Sequence, residues 1–491
     1  MSRGVWIILL GCLLQQAPAC ARDAVAQGRF ARAPCPKSIL PGEGVVCGVL
    51  TVPENRHRAH SRTIRLPVVV FHSRADTPAP DPVVFLPGGP GGSALVHPLP
   101  ARDNPFLAER DYVLLEPRGA RLAQPALECP RINALLGIVA AGHLSGEAGQ
   151  AALARAAAAC RAALVAKGVD LDGYTSAETA QDLEDLRKAL GYARWNLFGH
   201  SYGTRLALTV LRDHPQGVRS VILDSVLPPE VGFDEHASAN LRRALDAVFD
   251  GCAVDPACAR AHPQPAAEFA RLVAQADRSP LPLPSVRGSD GRAVTVRGAQ
   301  VVAALYEALH DPAAIGHIPA VIGDSLAGRT AALARLVAAG QGASSFAWGL
   351  RLSVWCGEEM PFEDRVRVEA QLAPAWGLGG VDERTASPGT CRAWGVAPAA
   401  ARENAPVTSD VPVLALAGEF DPDTPPAWAR QLVANMPHAR VVVFPGQSHG
   451  AGFNRCGAAL ETAFLHDPGG PLPLDCVLTM RGADFGASGR P

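Results

Sequence analysis

Trp195-Asn196-Leu197-Phe198-Gly199-His200-Ser201-Tyr202-Gly203-Thr204-Arg205-Leu206-Ala207-Leu208-Thr209-Val210-Leu211 is the stretch that sets the fold. Its first four residues read as a short buried strand, and 202–213 reads as a helix. Between them, Gly199-His200-Ser201-Tyr202-Gly203 fits Gly-x-Ser-x-Gly, the sharp strand-to-helix turn that presents a serine hydroxyl at the end of a sheet. The pattern alone is weak, since Gly446-Gln447-Ser448-His449-Gly450 fits it too. That second match lies near the end of the chain, with no acid and histidine left downstream to serve it. Ser201 is the expected nucleophile. The competing reading is a serine in an ordinary tight turn.

A serine so placed needs an acid and then a histidine, each in a loop after a late strand. The apolar run 413–417 reads as a strand and leads into Gly418-Glu419-Phe420-Asp421-Pro422-Asp423. Asp421 is the expected acid, with Asp423 and Glu419 as rivals. Residues 440–444 read as the last strand, and His449 in the loop after it is the expected base. In this arrangement Ser201 attacks a carbonyl. His449 takes its proton and returns it to the leaving group, and Asp421 orients the imidazole. The developing oxyanion needs fixed donors. Leu86-Pro87-Gly88-Gly89-Pro90-Gly91-Gly92-Ser93 follows a strand, and the backbone N–H groups of Gly89 and Tyr202 are the expected donors. The glycine run lacks the Lys and Ser/Thr of a phosphate loop and the spacing of a dinucleotide fingerprint. No metal and no cofactor are expected.

Outward from the elbow, strands and helices alternate. Strands are expected at 45–52, 64–71, 83–86, 112–115, 195–198 and 218–224, with helices at 151–165, 176–190 and 202–213. The Ala-rich run 151–165 reads as helix because Ala is the best helix former. The helix at 176–190 opens on Ser176 and Glu178 with an acid-rich first half, as a helix start should. Such alternation implies a largely parallel sheet with helices on both faces. After Pro228-Pro229, helical stretches at 237–249, 266–275, 299–309 and 330–339 dominate and strand signal is scarce. The rhythm resumes at 413–417, 427–435, 440–444 and 458–465. One α/β unit, residues 35–229 and 409–491, interrupted by a mainly helical insertion at 230–408, accounts for this pattern. There is no internal repeat.

Composition agrees. Of the 491 residues, 48% are apolar and 19% charged, which suits a large buried core and not a disordered chain. The balance of 45 basic against 47 acidic residues lacks the excess of a nucleic-acid binder. No apolar run reaches the roughly 18 residues of a membrane span. Met1-Ser2-Arg3, an apolar stretch at 4–14, and Ala17-Pro18-Ala19 form a secretory leader, expected to occupy residues 1–21 and to deliver the protein to the periplasm or beyond. Cys20 follows directly, so a lipid anchor is a lesser expectation, with Ala17 standing where lipoproteins usually carry Leu. Setting aside Cys12 and Cys20, ten of the 12 cysteines remain, and none forms the C-x-x-C spacing of zinc or redox motifs. An even number in an exported chain suggests disulfides. Sequence does not fix their connectivity, yet pairing nearest neighbours closes five loops without crossings.

Taken together, Gly88–Gly92, Gly199–Thr204, Gly418–Pro426 and Gly446–Gly450 resemble the exported α/β-hydrolase serine peptidases, the tripeptidyl-aminopeptidase and proline-iminopeptidase relatives. The resemblance runs from about residue 35 to 480. Glu116-Pro117-Arg118-Gly119-Ala120-Arg121 departs from the Asp-Gln-Arg-Gly-Thr-Gly usual in the family. The resemblance implies an α/β-hydrolase fold with a helical cap and cleavage through an acyl-enzyme, releasing short N-terminal peptides or single residues. Trp355-Cys356-Gly357-Glu358-Glu359 resembles the family's amine-binding acids, so Glu358 and Glu359 are expected to bind substrate. The competing reading is a solvated surface pair. Ester hydrolysis is the alternative activity, and a binding protein that has lost turnover is the second. The expected partner is a peptide or small ester.

Overall fold

Among the described residues of the computed structural model, eleven strands run in chain order: β1 (Arg29–Arg32), β2 (Val45–Pro53), β3 (Thr63–Phe71), β4 (Val83–Leu86), β5 (Tyr112–Leu115), β6 (Trp195–His200), β7 (Val218–Asp224), β8 (Leu281–Arg287), β9 (Ala293–Val296), β10 (Val413–Gly418) and β11 (Ala439–Phe444). The structure describes residues 28–486 apart from 41, 43, 141–145, 289–290, 341–345 and 372–386. The expected leader, with Cys12 and Cys20, lies outside the described residues.

Nine strands form one sheet in the order β1-β2-β3-β5-β4-β6-β7-β10-β11. The six from β5 to β11 are parallel, and β3, β2 and β1 extend the sheet with antiparallel pairings. A parallel sheet covered on both faces buries every position, and β5 and β10 are buried throughout. Side chains still alternate between faces. Val84, Val113, Leu197, Val221 and Ala415 join one apolar cluster with the helices Ser176–Leu190 and Tyr202–Asp213. Val83, Leu114, Phe198, Ile222 and Leu414 join another, under the helix Arg455–His466.

The stretch 230–408 contains two kinds of packing. Helices Ala237–Val254, Pro265–Arg278, Gly298–Leu309, Ile318–Leu326 and Ala331–Gly340 share their own apolar cluster, built on Leu245, Phe269, Leu305 and Ile322, and here they are called the cap. That cluster also takes in Phe420, from the loop after β10. The later helices, Trp348–Glu358 and Pro388–Trp394, instead send Trp355 and Trp394 into the main core beside Leu206. Among the strands, two features stand outside the sequence expectation. The hairpin β8–β9 sits inside the cap, and β1 precedes residue 35 to pair with β2. Five disulfides, Cys35–Cys47, Cys129–Cys160, Cys252–Cys258, Cys356–Cys391 and Cys456–Cys476, join sequence neighbours.

Candidate active site

The sheet order puts a crevice where the connections diverge: β4 leads toward β5 on one side and β6 leads toward β7 on the other. Ligands of parallel sheets bind at the carboxyl ends of strands at such a point. Ser201 stands there, between β6 and its helix, at φ 57° and ψ −127°. A serine at positive φ costs on the order of 1–3 kcal/mol and persists only where its surroundings over-determine it. They do so here. Ser201 N donates to Asp224 O at 2.9 Å, and the turn is too tight for side chains at either flank. A Cβ on Gly199 would lie 2.3 Å from Gly203 O, and one on Gly203 would lie 2.0 Å from Leu86 O. The two glycines of the motif are therefore required by close approach.

The glycine loop after β4 lies against the serine: a Cβ on Gly88 would be 3.0 Å from Ser201 Cβ. Gly89 holds φ at 126°, which L side chains rarely adopt. Tyr202 begins the elbow helix, so its N–H has no intrahelical acceptor. The loop is tethered from behind. Arg351 Nη1 donates to Gly89 O at 2.6 Å, and Ala347 N donates to Gly91 O at 2.9 Å. Glu116, from the stretch that departs from the family pattern, accepts from Ser93 Oγ at 2.7 Å and Leu122 N at 2.9 Å.

The acid and histidine loops meet. His449 Nδ1 lies 3.1 and 3.0 Å from the two oxygens of Asp421, which is fully buried. Asp421 also accepts from Asp423 N, Thr424 N and Thr424 Oγ1 at 2.8, 2.9 and 2.7 Å. The rivals do other things. Glu419 accepts from Gly446 N at 2.8 Å, pinning the histidine loop, while Asp423 Oδ2 is 4.0 Å from His449 Nδ1. Burial alone would lower the basicity of His449, but Asp421, with Asp423 and Asp224, outweighs it and raises the pKa to about 9. Burial likewise works against an ionised Asp421, and His449 more than offsets it, holding the carboxyl below its usual range. His200, with its ring 5.0 Å from that of His449, is pushed by burial down to about 3 and stays neutral. Among the described residues Ser201 Oγ and His449 form no direct hydrogen bond; such contacts often tighten only when substrate arrives. Ser448 is buried in loop packing, its hydroxyl donating to Phe420 O at 3.4 Å.

Glu358 and Glu359 are 2% and 1% exposed, so they are not a solvated pair. Their surroundings differ. Glu358 spends both oxygens on Ser176, accepting from its N and Oγ at 2.6 and 2.5 Å. Glu359 Oε1 pairs with the buried Arg205, leaving Oε2 without a hydrogen-bond partner. Two acids that sequence reasoning missed share this feature: Asp234 Oδ1 and Glu363 Oε2 are buried and unpartnered as well. Asp234 N donates to Glu363 Oε1 at 2.7 Å, and Trp355 Nε1 donates to Asp234 Oδ2 at 2.6 Å. Burial, reinforced by like charge on Glu359 and Glu363, raises all three carboxyls, to about 6 for Asp234, about 7 for Glu359 and about 10 for Glu363. Arg351, which holds Gly89, is electrostatically coupled to Asp234. It links the acid group to the glycine loop.

Comparison with known proteins agrees with this architecture. Residues 81–286 match the family model described as alpha/beta hydrolase fold, and residues 381–475 match the one described as TAP-like protein. The chain has the α/β-hydrolase fold. Among its relatives, serine protease Hip1 of Mycobacterium tuberculosis is 26% identical over 94% of this chain and 93% of its own. The tripeptidyl aminopeptidase of Streptomyces lividans is 29% identical over 42% of this chain and 41% of its own length. A proline iminopeptidase of Xylella fastidiosa is 37% identical over 12% and 18%. With relatives of this kind, the chain is an enzyme of the serine hydrolase class. No helix among its described residues is long and apolar enough to cross a membrane.

Proposed function

We propose that this protein is an exported serine aminopeptidase that releases N-terminal residues or short N-terminal peptides. Ser201 Oγ attacks the scissile carbonyl, and His449, its Nδ1 held by Asp421, accepts the proton through Nε2. The Gly89 and Tyr202 N–H groups receive the oxyanion. His449 then protonates the departing amine, and water repeats the sequence on the acyl-enzyme. Export is supported by the leader-like start and by five disulfides, which persist in oxidising compartments.

The acid group carries the choice of substrate. Asp234, Glu359 and Glu363, the last protonated near neutrality, each bury one side-chain oxygen without a hydrogen-bond partner, which costs free energy, and an ammonium brings three donors. An ester substrate offers nothing to pay that cost. In this reading Glu359 binds the substrate's amine together with Asp234 and Glu363, while Glu358 positions Ser176.

Two measurements test it. A fluorophosphonate should label the wild type and fail to label Ser201→Ala; label retained in that variant removes the nucleophile assignment. A free-amino peptide anilide should be cleaved, its N-acetyl form should lose at least about tenfold in kcat/KM, equivalent to ~1.4 kcal/mol, and Glu359→Gln should raise KM with labelling intact. If acetylation leaves the rate unchanged and a short acyl ester is the better substrate, the enzyme is an esterase.

A further inference from the structure

One half-buried carboxylate beside the site is left unused by this mechanism. Asp423 is held by residues from the cap. Tyr306 OH donates to its Oδ1, and His310 Nε2 lies 2.9 Å from its Oδ2. Tyr306 lies in the last turn of the helix Gly298–Leu309, and His310 caps that helix. The other nitrogen of His310, Nδ1, is 2.9 Å from Tyr306 O. A carbonyl on one side and a carboxylate on the other are both acceptors, so this ring is satisfied only with a proton on each nitrogen. The geometry thus writes His310 as an imidazolium paired with an ionised Asp423. Burial opposes that charge, yet Asp423 raises the His310 pKa overall.

This pair lies against His449. Asp423 Oδ2 is 4.0 Å from His449 Nδ1, and the rings of His310 and His449 are 5.8 Å apart. A carboxylate oxygen of Asp421, one of Asp423 and a ring nitrogen of His449 all fall within 4.8 Å of one another, so both acids act on one imidazole. The remaining charged or titratable groups around it are Asp224 at the end of β7, His200 at the end of β6, Arg243, whose Nη2 donates to Asp421 O at 2.6 Å, and Arg351, which is coupled to Asp423.

We propose that Asp423 and His310 are positioning residues that set the basicity of His449: Asp423, in the loop after β10, is a second carboxylate favouring the imidazolium, and His310, from the cap, is the cation that limits it. The inference rests on the Ser201–His449–Asp421 reading. The physical content is in the signs. Proton transfer from Ser201 makes His449 cationic, which the nearer Asp423 stabilises and the farther His310 opposes. Removing either member of this one hydrogen-bonded pair should therefore shift His449 in opposite directions, whereas a pair that only braces the loop would give shifts of one sign or none.

The experiment follows the rate of fluorophosphonate labelling of Ser201 against pH. In Asp423→Asn the acidic limb should move down by about one to three pH units, the usual effect of losing an opposite charge at this range, and the limiting rate should fall. In His310→Gln the limb should move up. Tyr306→Phe keeps both charges and should leave the limb in place while loosening the contact. Should one variant fail to fold, the direction of the other still decides, since each has its own predicted sign. Limbs that stay put, or that move the same way in Asp423→Asn and His310→Gln, overturn the proposal. Labelling that survives in Ser201→Ala would instead bring down the triad reading on which it rests.

Discussion

At the residue scale the acid group makes a prediction about pH. Asp234 and Glu359 carry pKa values of about 6 and about 7, both raised by burial and Glu359 also by the like charge of Asp234 and Glu358. Their negative charge is present above those values and lost as pH falls through them. KM for a free-amino peptide anilide should therefore climb as pH drops from about 8 to about 5, while KM for the N-acetyl substrate stays flat. Parallel profiles for the two substrates would remove these acids from amine binding. The sequence showed the site unevenly for a physical reason. Ser201, His449 and Asp421 sit in motifs whose glycines and strand context are themselves forced by geometry, so they are legible. Asp234 and Glu363 are single acids on irregular segments, indistinguishable in a sequence from solvated charges; only folding brings their oxygens together. The Trp355–Glu359 stretch revealed one of the three, because Glu359 closely follows a cysteine and a tryptophan that had to be buried.

At the scale of elements, the helix Ser176–Leu190 has the boundaries that its sequence implies. Thr175 caps it, accepting from Glu178 N at 3.1 Å, and Gly191 closes it at φ 80°. Its acids do something the sequence did not reveal. Glu178, Asp182 and Asp185 are buried and meet Arg56 at 2.5, 2.7 and 2.9 Å, and Arg118 adds a contact to Asp182 at 2.7 Å. Acids in the first half of a helix read equally well as solvated charges, so their burial was invisible. Arg118→Met would strand Asp182 with one cation fewer in the interior and should cost about 3–5 kcal/mol. The exposed pair Arg329–Asp324, at 68% and 45% side-chain exposure, provides the contrast: Arg329→Met should stay within about 1 kcal/mol. Urea midpoints measure both, and equal effects would mean that the buried network carries no special weight. The hairpin β8–β9 escaped notice because Pro282 and Pro284 interrupt its first strand. Both point outward while Leu281, Leu283 and Val286 turn in, and a two-stranded pair leaves an edge where proline is tolerated.

At the scale of the molecule, the cap has its own apolar cluster and meets the loop that carries Asp421 through Phe420, Asp423 and Arg243, which donates to Glu419 O at 2.8 Å. The helix Trp348–Glu358 belongs instead to the main core, yet it serves the site from both ends. Its Arg351 holds Gly89, its Trp355 holds Asp234, and Glu359 follows directly. Alternation of strands and helices predicts an α/β unit with an interruption at 230–408, but which helices of that stretch pack on which core depends on contacts distant in sequence.

The disulfides separate stability from function across these parts. Cys356–Cys391 spans 35 residues and ties the helix Trp348–Glu358 to Pro388–Trp394, whereas Cys252–Cys258 spans 6 residues at the end of a cap helix. On loop-closure entropy the long bridge should contribute about 4 kcal/mol and the short one about 2 kcal/mol. Their kinetic effects should diverge further. A Cys252→Ser/Cys258→Ser variant should lose stability with unchanged KM, because neither cysteine adjoins a residue of the site. A Cys356→Ser/Cys391→Ser variant frees the helix that positions Gly89, Asp234 and Glu359 together. It should raise KM for the free-amino anilide more than for its N-acetyl form, at temperatures where circular dichroism still reports a folded protein. Equal KM changes for the two substrates in that variant would mean that the bridge supports the fold alone, and that the acid group keeps its shape without it.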